Sequence, residues 1–338
     1  MLEEATTMMI RRFAPVLAWA ILGGLLAACS SSGGAFNPPP SGPHISSTIT
    51  SGITANAGLY GAVTGPDGRV WFAEFSGDNL AAVTTSGTVT EYPTGASTQP
   101  CAITVGPDNN LWTGGYGASI EKVTTAGVVT TYAVAGAHVC GIISGPGGLL
   151  WFADYGNNKV GTITTSGVVT EYAMPAGSQP DDIALGSDGN LWVTDDTTHS
   201  IIKVSPAGVV LNQYSTGISS GEQPNYIAAA PDGNLYFTED AFSSSIHDKI
   251  GRITTGGTIT EIGTLSPNSY LNVITIGKDG NAYFTEYSTA KLGKVTIATG
   301  HVSETSPGLA PHGNQAITAG PDGRLWIGGK QTIWALTY

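Results

Sequence analysis

The decapeptide Gly65-Pro66-Asp67-Gly68-Arg69-Val70-Trp71-Phe72-Ala73-Glu74, GPDGRVWFAE, returns near the other end of the chain as Gly320 to Gly329, GPDGRLWIGG. Aligned on its first four letters, the chain holds seven copies: Gly65-Pro66-Asp67-Gly68, Gly106-Pro107-Asp108-Asn109, Gly145-Pro146-Gly147-Gly148, Gly186-Ser187-Asp188-Gly189, Ala230-Pro231-Asp232-Gly233, Gly277-Lys278-Asp279-Gly280 and Gly320-Pro321-Asp322-Gly323. Counted from the third letter, they stand 41, 39, 41, 44, 47 and 43 residues apart. That period suits four-stranded propeller blades, and the content of each copy is strand-like, not helical.

Within a copy the order is strand, turn, strand, loop, strand, turn, strand. The clearest runs Asp182 to Leu185, a turn at Gly186 to Gly189, Leu191 to Thr194, Ile201 to Val204 and Val209 to Tyr214. Asp-Gly supplies the positive-φ positions of a tight hairpin turn. The second strand is apolar at consecutive positions, as expected of a strand with both faces buried. Its second letter is always aromatic: Trp71, Trp112, Trp151, Trp192, Tyr236, Tyr283 and Trp326. So regular a stripe reads as core.

The last copy has only three strands before Tyr338, while Ile45 to Thr50, ISSTIT, precedes the first copy and belongs to no blade of its own. The expected fold is therefore all-β: a seven-bladed β-propeller of four-stranded blades over 45–338, its last blade closed by the N-terminal strand, which removes two exposed edges.

A chain of 338 residues that is 41% hydrophobic can bury a large core, and a net charge of -12 with only 11% charged residues argues against nucleic acid as a partner. Arg11 and Arg12 precede an apolar run from Phe13 to Ala28 with the layout of a secretory leader. The run ends in Leu26-Ala27-Ala28-Cys29, which resembles the bacterial lipobox. The expectation is a lipoprotein signal peptide over 1–28, lipidation at Cys29 and a flexible Gly/Ser/Pro tether over 29–44. The protein would then be an exported lipoprotein, held to a membrane on its extracytoplasmic side through the lipid alone, and a monomer.

Phrases such as GPDGRVWFAE, GTITTSGVVTEYAMP (Gly161 to Pro175) and GRITTGGTITEI (Gly251 to Ile262) resemble the repeat of the streptogramin B lyase family, also called virginiamycin B lyases, over roughly Ala55 to Tyr338. The resemblance implies a metal-dependent elimination that opens the ester of a cyclic depsipeptide antibiotic. Such chemistry needs a base beside a carbonyl and a cation for the developing enolate charge. The family pattern puts Glu-Pro-His-Gly before the first strand of the last blade, a second Glu after its second strand, and a substrate-binding His one blade earlier. Pro311-His312-Gly313 matches, which makes His312 the candidate base, but Ala310, Lys330 and Asn272 stand at the other three positions. Mg2+ is implied only if a lyase activity is present; otherwise no cofactor is expected.

Two other constellations face one end of the ring by symmetry. The letter closing the second strand is acidic as Glu74, Asp154, Asp195, Glu239 and Glu286, but Gly115 and Gly329 in the second and seventh copies. These acids read either as local caps for their own loops or as a cation or amine site. The letter two before the first-strand Ile holds Cys101, Cys140, Asp181, Asn225, Asn272 and Gln315, a polar throat that reads as water-filled or ligand-facing. Cys101 and Cys140 share that letter in adjacent copies, and export predicts a disulfide between them; a metal site of both with His138 lacks a fourth ligand. The sequence thus points to a propeller that binds a peptide, glycan or other small-molecule or protein ligand at its channel mouth. A lyase-like enzyme and a structural envelope protein are the alternatives.

Overall fold

The computed structural model describes residues 42–240, 248–313 and 315–338. The expected leader, Cys29 and most of the tether lie outside them. The described residues form seven four-stranded antiparallel sheets. Blade 1 is β2 to β5 (Leu59–Thr64, Val70–Glu74, Asn79–Val83, Val89–Pro93), and blade 2 is β6 to β9 (Pro100–Val105, Leu111–Gly115, Ser119–Val123, Val129–Ala133). Blade 3 is β10 to β13 (Val139–Gly145, Leu149–Asp154, Lys159–Ile163, Val169–Ala173), and blade 4 is β14 to β17 (Pro180–Leu185, Leu191–Asp195, Ser200–Val204, Val210–Tyr214). Blade 5 is β18 to β21 (Gln223–Ala229, Leu235–Asp240, Lys249–Ile253, Ile259–Ile262), and blade 6 is β22 to β25 (Leu271–Ile276, Ala282–Glu286, Leu292–Thr296, His301–Thr305). Blade 7 joins β26 to β28 (Ala316–Ala319, Leu325–Gly328, Ile333–Thr337) with β1 (His44–Ile49), in the order β1-β28-β27-β26. The chain is a seven-bladed propeller, closed as the unpaired N-terminal strand predicts, with β1 starting one residue before the expected Ile45.

The recurring phrase carries more than a turn. In blade 1 the Trp71 indole N–H donates to Asp67 Oδ1 at 3.1 Å, and the Arg69 guanidinium lies 4.7 Å from the ring centroid. The same indole-to-aspartate bond recurs at Trp112 and Asp108, Trp192 and Asp188, and Trp326 and Asp322. Tyr236 and Tyr283 reproduce it with their hydroxyls on Asp232 and Asp279. Blade 3 lacks the aspartate, so Trp151 donates to the Pro146 carbonyl. A ring buried to 0% exposure keeps a polar N–H satisfied this way, which its burial requires. Where the ring is tryptophan the first letter is Gly, since a Cβ at Gly65 would lie 2.5 Å from the indole, whereas Ala230 takes this letter in the blade of Tyr236.

In four blades the cation over the ring also reaches the next blade. Arg69 donates to the Thr125 carbonyl at 2.6 Å, Lys122 to Thr165 at 3.2 Å, Lys203 to Thr255 at 2.9 Å and Arg324 to Thr85 at 2.6 Å. One unit therefore ties a turn, a core ring and the outer turn of the neighbouring sheet. Between blades the core consists of one sheet's aromatic row against its neighbour's aliphatic rows, as where Trp112 meets Val139, Leu150 and Phe152.

Closure depends on β1. Its register on β28 runs from His44 opposite Thr337 to Ile49 opposite Ile333. Ile49 is 7% exposed and joins a cluster with Val83 and Ala335, and Ile45 packs against the Trp334 and Leu336 cluster. Burying two isoleucines contributes about 3 kcal/mol or more, and β1 also covers the edge of β28. Deleting residues 44–49 should lower the melting temperature by about five degrees or more, on the order expected for such a loss in a domain of this size; an unchanged thermal melt would show that the ring closes without β1.

Candidate functional site

Each second strand runs back to the end of the ring where its inner strand starts. Leu59 pairs with Glu74, Pro100 with Gly115, Val139 with Asp154, Pro180 with Asp195, Pro224 with Glu239 and Leu271 with Glu286. Just inside this pairing most inner strands carry a register shift. The bulged residues are Tyr60, Cys101, Cys140, Asp181, Asn225 and Asn272 with their neighbours, the throat letters foreseen from the repeat plus a tyrosine in the first blade. A bulge re-aims side chains, which suits a ring of residues around an axis.

Cys101 and Cys140 form a disulfide with Cα atoms 5.1 Å apart, joining the inner strands of blades 2 and 3. With a sequence separation of 39, loop closure of that size contributes about 4 kcal/mol in the chain-entropy model. Asp181, Asn272 and Gln315 are buried, and Asn225 is half-buried. Asp182, the next letter, is wedged between inner strands. It accepts the Ile227 N–H of blade 5 at 3.0 Å, and a Cβ on Gly141 of blade 3 would lie 2.8 Å from its Cα. Burial raises its carboxyl to about 7, helped by the charge of Asp181.

The five closing acids are fully buried, and their partners belong to their own blades or to the loops entering them. Glu74 accepts from Asn79 at 3.1 Å, Asp154 from Asn157 and the His138 backbone, Asp195 from the backbone of Gln179, Thr197 and Thr198, and Glu286 from Thr289. Glu239 takes no hydrogen bond from an N–H or hydroxyl group among the described residues, and its carboxyl hydrogen-bonds the Glu261 side chain. Burial, with the charge of Glu261 beside it, pushes Glu239 up to about 9. Against the cost of its own burial, Glu261 is held below the usual range by Lys249, 2.6 Å away, and by Ser219. The pair is a carboxylic acid beside a carboxylate. Glu74 beside Glu91 and Glu286 beside Glu304 repeat it, each acid raised to about 8, chiefly by burial. The outer-strand partners also pin the loops at the mouth: Glu91 accepts from Thr54, Glu261 from Ser219 and Glu304 from Ser266.

The missing acids have steric causes. A side chain at Gly115 would collide with the Thr98 and Gln99 carbonyls, and one at Gly329 with the Trp334 ring, 2.6 Å from a Cβ there. Gly329 and Lys330 instead offer their carbonyls to Leu59 and Gly58, joining blade 7 to blade 1.

His312 lies in the loop between β25 and β26, exposed, with φ at +58°. Its N–H donates to the Tyr287 carbonyl at 2.7 Å, and its ring stands edge-on to Tyr287 at 5.2 Å. Gly313 packs on the backbone of Lys330, so the loop brings three of the four family-pattern positions, Ala310, His312 and Lys330, to one rim of blade 7, while Asn272 stands on the inner strand of blade 6. An ammonium and a methyl group stand where two carboxylates would, and among the described residues no three His, Cys, Asp or Glu side chains are grouped to hold a metal. These residues do not fit a divalent cation. Cys101 and Cys140 are spent on the disulfide, and His138, its pKa lowered by burial, stacks on Tyr116 at 4.7 Å.

The repeat did not reveal a belt of aromatic residues around this mouth. Tyr60, Phe75, Tyr116 and His138 touch in sequence, and Tyr155 follows in blade 3. The letter after the closing acid was the available signal: it reads Phe75, Tyr116 and Tyr155 in the first three blades and Asp196 and Asp240 in the next two.

The raised acids set a pH dependence. Glu74, Glu239 and Glu286, with Glu121 and Glu222 pushed by burial to about 7, stay protonated in the fold where the unfolded chain is ionised. Their contribution is full below the unfolded value near 4.5 and is lost as pH rises through 7 to 9. Asp188, held at about 2 by Lys203 and its neighbours against the cost of burial, acts oppositely and only in stronger acid. The melting temperature should peak near pH 5 and fall toward pH 9, with Glu239→Gln flattening the fall; a melting temperature that climbs over that range would contradict the assignment.

The fold has solved counterparts. A streptogramin B lyase structure superposes with a TM-score of 0.78 at 28% identity, covering 87% of this chain and 97% of that one. The virginiamycin B lyase of Staphylococcus aureus gives 0.77 at 28%, covering 86% and 98%. A catalytically inactive form of the Staphylococcus aureus enzyme, solved with quinupristin, gives 0.76 at 28%, covering 84% and 96%. No curated protein matches the chain. The model of the virginiamycin B lyase family matches residues 47–331, nearly all of the propeller, and the chain belongs to that family.

Proposed function

We propose that the protein is an exported, lipid-anchored propeller that binds a ligand at the mouth where the inner strands begin. The observation that carries this reading is the mouth itself: a throat of Asp181, Asn225, Asn272 and Gln315, with Tyr60, Phe75, Tyr116 and His138 along one side and entering loops pinned by Glu91, Glu261 and Glu304. Preorganised loops around convergent polar groups and rings are the ordinary make-up of a binding site. The leader and Cys29 motif support export and anchoring.

Family membership favours a second reading, a lyase opening a cyclic depsipeptide lactone with Mg2+. The residues at the family-pattern positions weigh against it. His312 alone can accept a proton, but Lys330 repels the cation that would support the resulting carbanion, and losing such electrostatic support commonly costs about a hundredfold or more. Glu74 and Glu286 flank blade 7, but both are buried inside their own blades.

One panel tests both readings. The purified domain is melted with short peptides, glycans and a B-type streptogramin plus Mg2+, and each mixture is weighed by mass spectrometry. A saturable rise in melting temperature with intact ligand is the expected result; a linearised streptogramin, lost in His312→Ala, would install the lyase, and no shift with any ligand would remove the binder. Anchoring is tested apart: the full chain should fractionate with membranes and Cys29→Ser should not, whereas equal fractionation would refute lipid attachment.

A further inference from the structure

Three neighbouring blades give one side of the mouth a run of touching rings. The centroids of Tyr60 and Phe75 are 4.9 Å apart, Phe75 and Tyr116 5.4 Å, and Tyr116 and His138 4.7 Å with planes inclined by 29°. Phe75 is buried, while Tyr60, Tyr116 and His138 are half-buried. The belt therefore has a covered middle and partly open ring surfaces. The disulfide ties the strands beneath it, since Cys101 begins blade 2 and Cys140 follows His138 by two residues.

At the boundary of blades 3 and 4 the character of the mouth changes. The letter after the second strand turns from Tyr155 to Asp196, and the throat letter turns from Cys140 to Asp181. Asp182 lies directly against Gly141 of blade 3, so carboxylates begin where the rings end. Next in the ring, the buried amide oxygen of Asn225 takes no hydrogen bond among the described residues. Glu222, three residues earlier in the loop entering blade 5, is fully buried, and both of its oxygens are in the same condition. The nearest lysine, Lys249, is engaged by Glu261 and Ser219. This arc offers acceptors on a protein of net charge -12, a field that attracts cations.

We propose that the mouth takes a basic aromatic peptide, with an aromatic side chain against Tyr116 and His138 and an ammonium or guanidinium directed at Asp181 and the Asn225 amide oxygen. This rests on the reading of the mouth as a ligand site and adds the ligand's chemistry. A ring adds to the stacked series in offset or edge-on contact, and a cation supplies a donor to the sheltered Asn225 oxygen. Neither a neutral sugar nor an anionic ligand satisfies both halves.

The test uses three end-blocked tetrapeptides in calorimetry with the purified domain: Trp-Lys-Trp-Lys, Trp-Glu-Trp-Glu and Gly-Lys-Gly-Lys. The first should bind at least about tenfold more tightly than either other, an effect of both halves acting together. Asp181→Asn, which installs the residue that blades 5 and 6 carry at this letter, and Tyr116→Leu should each weaken it about fivefold or more at an unchanged melting temperature. Should Tyr116→Leu fail to fold, Asp181→Asn decides. The inference falls if the acidic peptide or the ring-free peptide matches the first, if the first does not bind, or if Asp181→Asn leaves its affinity unchanged. Binding confined to the acidic or ring-free peptide sinks this inference and leaves the mouth a ligand site; silence across the whole panel above removes both.

Discussion

The turn aspartate that takes the indole N–H of the buried tryptophan, under a lysine or arginine that reaches the next blade, is the contact on which the ring depends. A four-stranded sheet cannot bury its own faces, so each blade is stable only against its neighbours. The aromatic row supplies the area for that packing, and the aspartate removes the penalty of burying its polar atom. The cation then makes the unit directional, because Arg69, Lys122, Lys203 and Arg324 each bond to the outer turn that follows around the ring. Blade 3, where Gly147 replaces the aspartate, shows the unit is not indivisible: Trp151 finds a carbonyl instead.

Closure turns this repeat into a site. Once β1 completes blade 7, seven inner strands start at one end of the ring, and bulges in six of them re-aim a residue from each of those blades. Equivalent positions then stop being equivalent in function. The scaffold fixes where a side chain stands, and the letters at that place decide whether it becomes a cystine, an aspartate or an amide.

Much of this was legible in the sequence. The period, the Asp-Gly turns and the aromatic second letter gave the blades, and a strand-like ISSTIT opposite a three-stranded last copy gave the closure. The partners of the closing acids were not legible. Glu239 turns into its blade because Glu261 and Lys249 arrive from the two outer strands, and a repeat alignment shows equal height but not direction. The glycine at 329 reads as a lost acid, yet the Trp334 ring fills its place. The aromatic belt escaped for a related reason: Tyr60 comes from an inner strand, Phe75 and Tyr116 follow second strands, and His138 precedes an inner strand. No single period gathers these letters, and only the folded ring brings them into contact.

Family membership and site chemistry point apart in blade 7, where Ala310 and Lys330 flank His312. The mouth lies at the start of the inner strands, where Tyr116, His138 and Asp181 stand. A crystal structure of the domain grown with the Trp-Lys-Trp-Lys peptide examines that mouth most directly. The account predicts an indole against Tyr116 and His138 and a lysine ammonium within hydrogen-bond distance of Asp181 or Asn225. Peptide density on the His312 and Lys330 rim, with the aromatic belt bare, would contradict it.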